Sequence, residues 1–352
     1  MGFFDGLFKA RSGRVTTSAA GERARGGARR GVGRAGGSPR GRAPGARASG
    51  GAVEEDLWGE EFLRRLESLA IVSRRVVPGR QRAERRSKKR GSGVEFADHR
   101  NYVEGDDIRY LDVGVYQRLG KLLVRLYEEE EDLSIYFIVD CSASMAFAPP
   151  GASERRRRKF DQARRLCAAL AYVGLAGLDR VTIVGVNDHL VSRMPTTRGK
   201  GRIFRVLRFL EELEPQGSTD LEAAMKTFVA QHKRRGVAVL LSDLYDPAGF
   251  EGGINVLRFN KFEPYVIHLV DPADARPPLR EDVRIVDCES GEDREVTVTP
   301  ALLQKLEESY EDYRLRIERF CASRQVSYFA AGVDDPFDEL VLRVFRSGGF
   351  LR

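Results

Sequence analysis

Residues 136–145 read Tyr-Phe-Ile-Val-Asp-Cys-Ser-Ala-Ser-Met. An apolar run rich in aromatic and β-branched residues stops at Asp140, and small polar residues follow, the pattern of a buried strand that ends in a loop. Ser142 and Ser144 stand at alternate positions after Asp140, so one carboxylate and two hydroxyls are confined to one strand tip. Oxygen-only donors of this kind suit hard divalent cations. Alone, the motif is equally an ordinary polar turn, because Asp and Ser are common turn residues.

Outward from this stretch, strands and helices alternate. Apolar runs predict strands at Leu133–Val139, Val181–Val186, His189–Arg193, Val237–Leu241, Tyr265–Val270 and Val326–Ala330. Helical spacing predicts helices at Lys159–Leu175, Ile203–Leu213, Leu221–His232, Ala248–Arg258, Ala301–Arg324 and Phe337–Phe345. Strands without a polar face, interleaved with helices, imply an α/β, Rossmann-like, doubly wound and mostly parallel sheet covered on both sides. The turn at Asn187-Asp188 adds one antiparallel edge strand, and Val283–Val298 reads as a polar hairpin insertion.

In such a sheet, ligands bind beyond the carboxyl ends of the strands, where strand order reverses. Two further loops belong there: Gln216-Gly217-Ser218-Thr219-Asp220, which precedes a helix, and Leu240-Leu241-Ser242-Asp243, which ends a buried strand. The candidate site therefore collects Asp140, Ser142, Ser144, Thr219 and Asp243, with Ser218 the alternative hydroxyl to Thr219.

Asp-x-Ser-x-Ser after the first strand, a loop Thr and a later Ser-Asp resemble the metal-ion-dependent adhesion site of von Willebrand factor A domains, over roughly residues 133–345. Upstream, Gly93-Val94-Glu95-Phe96, Arg100-Asn101-Tyr102, Gly105-Asp106-Asp107-Ile108-Arg109 and Leu111-Asp112 resemble the signature of bacterial domain of unknown function 58 proteins, which precedes an A-like domain. Val113 departs from that pattern, which usually has Trp there, and the membrane helices of many members are missing. The resemblance implies a divalent cation, Mg2+ first with Mn2+ or Ca2+ as alternatives. Ser142, Ser144 and Thr219 would hold it directly, with Asp140 and Asp243 acting through waters or hydrogen bonds. It implies capture of an Asp or Glu from a protein partner, and association with a MoxR-type AAA+ ATPase or its client in protein maturation or remodelling.

The remaining sequence sets the context. Residues 1–52 carry eleven Lys or Arg against Asp5 and Glu22, so the net charge of +7 belongs to a basic tail on a nearly neutral body. That tail is Gly-, Arg- and Ala-rich and is expected to be disordered. Its Phe3, Phe4, Leu7 and Phe8 share a helical face, so any membrane association is weak or indirect through the tail. No aromatic interleaving favours nucleic acid. Residues 53–130 read as a helix at Glu54–Ser73, a solvated basic run at Arg80–Arg90 and a strand-and-turn region; residues 131–352 read as the A-like domain. Glu128–Asp132 reads as a solvated connector, and Arg155–Lys159 as a hydrated loop edge or a dock for an acidic partner. Cys141, Cys167, Cys288 and Cys321 lack metal spacing and are expected to be reduced. Without an apolar span or a secretory pattern, the expected compartment is the cytoplasm. The four histidines fall in unrelated segments, so no base stands beside a nucleophile and the expected function is non-enzymatic binding. A haloacid-dehalogenase-type phosphatase would need Asp where Ser142 stands, and no phosphate loop is present. The alternatives are a metal-dependent hydrolase and a tail-mediated tether to nucleic acid or membrane.

Overall fold

The computed structural model describes residues 13–16, 58–76, 86–91, 95–130, 133–147, 158–279 and 282–346. The strands are β1 (Gly13–Thr16), β2 (Arg86–Gly91), β3 (Glu95–Asn101), β4 (Leu123–Glu130), β5 (Ser134–Asp140), β6 (Arg180–Val186), β7 (Leu190–Thr197), β8 (Val237–Ser242), β9 (Glu263–Val270), β10 (Asp282–Asp287), β11 (Asp293–Thr297) and β12 (Ser327–Gly332). The helices are α1 (Glu60–Val76), α2 (Val113–Leu119), α3 (Arg158–Ala176), α4 (Ile203–Glu212), α5 (Leu221–Gln231), α6 (Glu251–Phe259), the short α7 (Pro272–Ala275), α8 (Pro300–Ser323) and α9 (Phe337–Arg346).

The central sheet has the order β12-β9-β8-β5-β6-β7. Every pairing in it is parallel except β6 with β7. The expected mixed α/β layering with one antiparallel edge is therefore present. β5 runs down the middle and is buried along its whole length. Its side chains alternate between two cores, as the strand period of two requires. Ile135, Phe137 and Val139 pack with α3, α4 and α9, whereas Tyr136 and Ile138 pack with α5, α6 and α8.

α1 does not belong with the strand-rich region, where the sequence placed its helix. Trp58, Phe62, Leu66 and Leu69 are buried in the first core, and the Phe62 ring lies 4.7 Å from that of Phe337. Arg65 adds an ion pair to Asp338 at 3.4 Å. The apolar stripe at helical spacing docks on α3 and α9 and completes one face of the sheet.

The strand-rich region is a three-stranded antiparallel sheet, β2-β4-β3. Part of the basic run expected to be solvated forms β2, and Glu128–Glu130 extend β4 rather than forming a connector. The register pairs Arg86 with Glu130 and Arg90 with Glu128. Within the expected disordered tail, Gly13–Thr16 pairs antiparallel with β10, whose edge offers unpaired backbone groups to the β-branched Val15 and Thr16. Otherwise residues 1–57, with the aromatic cluster at Phe3–Phe8, lie outside the described residues.

α2 lies where the sequence predicted only strands and turns. Asp112 caps it by accepting the Val115 N–H at 3.0 Å, and Gly120 closes it in the left-handed conformation. The Asp112 carboxylate also receives Arg125 Nε at 2.9 Å and pairs with His99 Nε2 at 2.8 Å. Arg100 grips Asp106 with two hydrogen bonds of 2.6 Å. The family-like signature is thus a set of hydrogen bonds that shapes one loop. Val113, at the position of the departure, is 56% exposed beside exposed Ile108, Tyr116 and Leu119.

The Asp112 carboxyl is held well below the usual range by the hydrogen bond from Arg125 first, then by His99 and the Val115 N–H. Its contribution to stability is therefore present above the unfolded pKa and is lost as pH falls through the folded value. Asp112→Asn should lower the melting temperature near neutral pH, and the gap should narrow as pH falls below about 4. Melting curves at stepped pH check this; a gap independent of pH would sink it.

Candidate functional site

β5 and β8 are neighbours at the point where strand order reverses, so Asp140 and Asp243 leave adjacent strand ends. Asp140 is fully buried and joins the two loops. One carboxylate oxygen accepts the Ser142 N–H at 2.9 Å, and the other accepts the Ser242 hydroxyl in a short hydrogen bond. Ser142 and Ser144 flank the first turn of a 3-10 segment, with their hydroxyls 2.8 Å apart. Ser144 Oγ donates to Asp243 Oδ1 at 3.4 Å, which also receives the Tyr245 N–H at 3.3 Å. Leu244 holds φ of +61°, a costly conformation for a branched residue. The turn is braced by the Leu244 N–H on Ser242 Oγ (2.8 Å) and by Tyr313 Oη on the Leu244 carbonyl (2.6 Å).

The third loop is stitched to the first through backbone. Gln216 N–H donates to the Cys141 carbonyl at 2.7 Å, and Ala143 N–H donates to the Gly217 carbonyl at 3.0 Å. Gly217 has φ of +81°, and a Cβ there would sit 2.9 Å from the Asn187 amide nitrogen, which itself holds the Gln216 carbonyl. Asp220 caps α5 through the Ala223 N–H, which frees Thr219 from capping. Thr219 is buried and Ser218 is exposed.

Four residues outside the predicted set complete the cluster. Ser242 was part of a quoted motif, and its hydroxyl bridges Asp140 and the Leu244 N–H. Lys159 is only 1% exposed, and its ammonium lies 2.7 Å from Asp243 Oδ2 and 3.2 Å from Asp274 Oδ2. The run read as a hydrated loop edge or a dock for an acidic partner is therefore corrected at Lys159, which is drawn inward by two acidic groups of the chain itself. Residues 155–157 of that run lie outside the described residues. Asp274 comes from α7, just beyond β9, and receives Tyr245 Oη at 3.1 Å. Glu289, from the tip between β10 and β11, takes Thr219 Oγ1 at 2.8 Å on one oxygen and the Thr219 N–H at 3.0 Å on the other.

Charge in this volume is unbalanced. Asp243 and Asp274 share the ammonium of Lys159, while Asp140 and Glu289 add carboxylates that join the same loops through Ser242 and Thr219. Burial first, and then the charge of Asp243, pushes the Asp140 carboxyl well above its ordinary value. Burial also raises Glu289. Burial alone would lower Lys159, but Asp243 and Asp274 outweigh it and hold the ammonium firmly charged. The donors are all hard oxygens, a set that fits Mg2+ better than a thiolate- or imidazole-seeking ion. Among the described residues no three His, Cys, Asp or Glu side chains form a metal-holding group, so any cation here relies on the hydroxyls. Of the thiols, Cys141, Cys167 and Cys321 are buried and Cys288 is exposed, and none of the four forms a disulfide. His99 pairs with Asp112, His189 with Asp188 and His232 with the Phe228 carbonyl, whereas His268, paired with Tyr328, is buried on β9 in register with Ser242 beside the site.

The family model described as "Protein of unknown function DUF58" matches residues 98–315, from the β3–α2 signature loop into α8. The chain belongs to the DUF58 family. An uncharacterized DUF58 relative from Mycobacterium tuberculosis is 30% identical over 216 residues, which span 60% of this chain and 66% of that protein. Two solved structures are similar: the conserved hypothetical protein BatB from Bacteroides thetaiotaomicron and an aerotolerance-related membrane protein from Bacteroides fragilis. The first has a TM-score of 0.39 and 13% identity, and covers 61% of this chain and 98% of its own. The second has a TM-score of 0.35 and 15% identity, and covers 61% of this chain and 97% of its own. Among the described residues of this DUF58 protein, no helix is long and apolar enough to cross a membrane.

Proposed function

We propose that this DUF58 protein is a von Willebrand factor A-like interaction module with a metal-ion-dependent adhesion site. In this reading it captures an acidic group of a protein partner without catalysing a reaction. The observation that carries the reading is the convergence of Ser142, Ser144 and Thr219 with Asp140 and Asp243 at the sheet's switch point, in a pocket with more carboxylate than ammonium charge. A divalent cation offsets that excess, whereas isolated buried charges are costly.

Ser142, Ser144 and Thr219 would hold the cation, Mg2+ by preference. Asp140 and Asp243 already spend oxygens on Ser142, Ser242, Ser144 and Lys159, and would act by orienting the hydroxyls rather than by direct ligation. A cation held mainly by neutral hydroxyls stays electron-poor and supplies an attraction for one more carboxylate oxygen. The family resemblance makes a MoxR-type AAA+ ATPase, or its client, the proposed source of that carboxylate, and the cytoplasm the proposed compartment.

Pull-down from a bacterial lysate in Mg2+ and in EDTA, paired with calorimetric titration of Mg2+, tests this reading. Ser142→Ala and Ser144→Ala should keep the melting profile and weaken Mg2+ binding by about 10–100-fold, the scale of changes around a metal site. Capture should vanish in EDTA and in both variants. Identical capture with and without chelator would refute the reading.

A further inference from the structure

A carboxylate of the chain's own lies against Thr219, one of the hydroxyls proposed to hold the cation. Glu289 lies at the tip of the β10–β11 hairpin, between the exposed Cys288 and Ser290, yet its own side chain turns in and is half-buried. Its two oxygens straddle Thr219, one on the hydroxyl and one on the backbone N–H. One of the three hydroxyls proposed to hold the cation, that of Thr219, is therefore engaged by it. The tip is built for this aim. Asp287 is buried and accepts the N–H groups of Glu289 (2.8 Å) and Ser290 (3.2 Å), and Gly291 reverses the chain at φ of +74°. Beyond this tip, the hairpin is largely exposed.

We propose that Glu289 is an internal, displaceable occupant of this site. It stands in for the acidic group of a partner and must swing out with its hairpin tip before capture. The proposal rests on the adhesion-site reading above and adds its regulation: the free protein is self-capped. A partner's carboxylate then competes with an intramolecular one, and its apparent affinity falls by the fraction of time the site is open. An occupant in place nine-tenths of the time weakens capture about tenfold.

The test uses the full chain, with calorimetric titration of Mg2+ and fluorescence anisotropy of a labelled, C-terminally amidated Gly-Gly-Glu-Gly-Gly peptide. Glu289→Gln is the first variant and Glu289→Ala the second, so that a folding failure of either leaves the other as a test. The expected result is Mg2+ binding in wild type and variants alike, with the peptide bound about tenfold or more tightly by the variants, in Mg2+ only. Peptide affinity unchanged in both variants, with Mg2+ still bound, would overturn self-capping while leaving the adhesion site standing. Loss of Mg2+ binding in a folded Glu289→Gln protein would also overturn it, since Glu289 would then be an obligate ligand. Absence of Mg2+ binding in the wild type would overturn the adhesion site and self-capping together. Hydrogen exchange gives a second readout: amides at 283–297 should exchange faster when the peptide is bound.

Discussion

Replacing Lys159 with methionine should destabilise the folded protein by about 3–5 kcal/mol, the range for removing one partner of a buried ion pair. At roughly 2–4 °C per kcal/mol for a domain of this size, the melting temperature should drop by about 6–20 °C. The physical cause is the charge left behind. Methionine conserves most of the side-chain volume, so packing changes little, while Asp243 and Asp274 lose the ammonium they share at 2.7 and 3.2 Å. Because the penalty comes from uncompensated carboxylates, adding Asp274→Asn to Lys159→Met should recover part of it. A divalent cation at the proposed site would recover another part, so millimolar Mg2+ should raise the melting temperature more in Lys159→Met than in wild type. A single-variant loss below about 1 kcal/mol would mean that these carboxylates are neutral or solvated.

Phe62→Ala should cost about 3–5 kcal/mol, the range for truncating a buried aromatic, and the loss should fall on the unfolding of the central sheet. Phe62 sits on α1, but its neighbours are Trp58, at 5.1 Å between ring centroids, and Phe337, at 4.7 Å. Both rings belong to the core that holds Phe137 and Phe160. Hydrogen exchange of β5 and β8 amides, read beside those of β3 and β4, separates the alternatives. Faster exchange confined to β3 and β4 would show that α1 serves the small sheet and not the large one.

The sequence was most legible where structure is local. A five- to seven-residue, mostly apolar run bounded by polar residues reads as a buried strand, which is why Leu133–Val139 and Val237–Leu241 fall on β5 and β8. The polar stop that ends each run places Asp140 and Asp243 at the same end of parallel strands. The turn at Asn187-Asp188 was equally local, and so was the hairpin at Val283–Val298. Segments whose conformation depends on a cap or a distant surface were less legible. Val113–Leu119 contains β-branched Val and a Gly, yet folds as α2 because Asp112 and Gly120 supply its two ends. The stripe on α1 was visible as helical, but nothing in it says which layer it covers.

The same division holds for the candidate site. Asp140, Ser142, Ser144, Thr219 and Asp243 could be named from sequence because alternation of strands and helices brings their loops to one sheet edge. What the sequence left open was charge. Lys159 reaches Asp243 across 84 residues of chain and Asp274 across 115, and Glu289 reaches Thr219 across 70. A basic run before a helix and a Glu in a polar hairpin carry no local mark of burial, since a charged side chain enters the interior only where distant partners offset its desolvation. Sequence alone determined the order of the elements and which oxygens stand at the strand ends. Only the tertiary structure decided that a lysine is buried against Asp243 and that the chain's own Glu289 lies on Thr219.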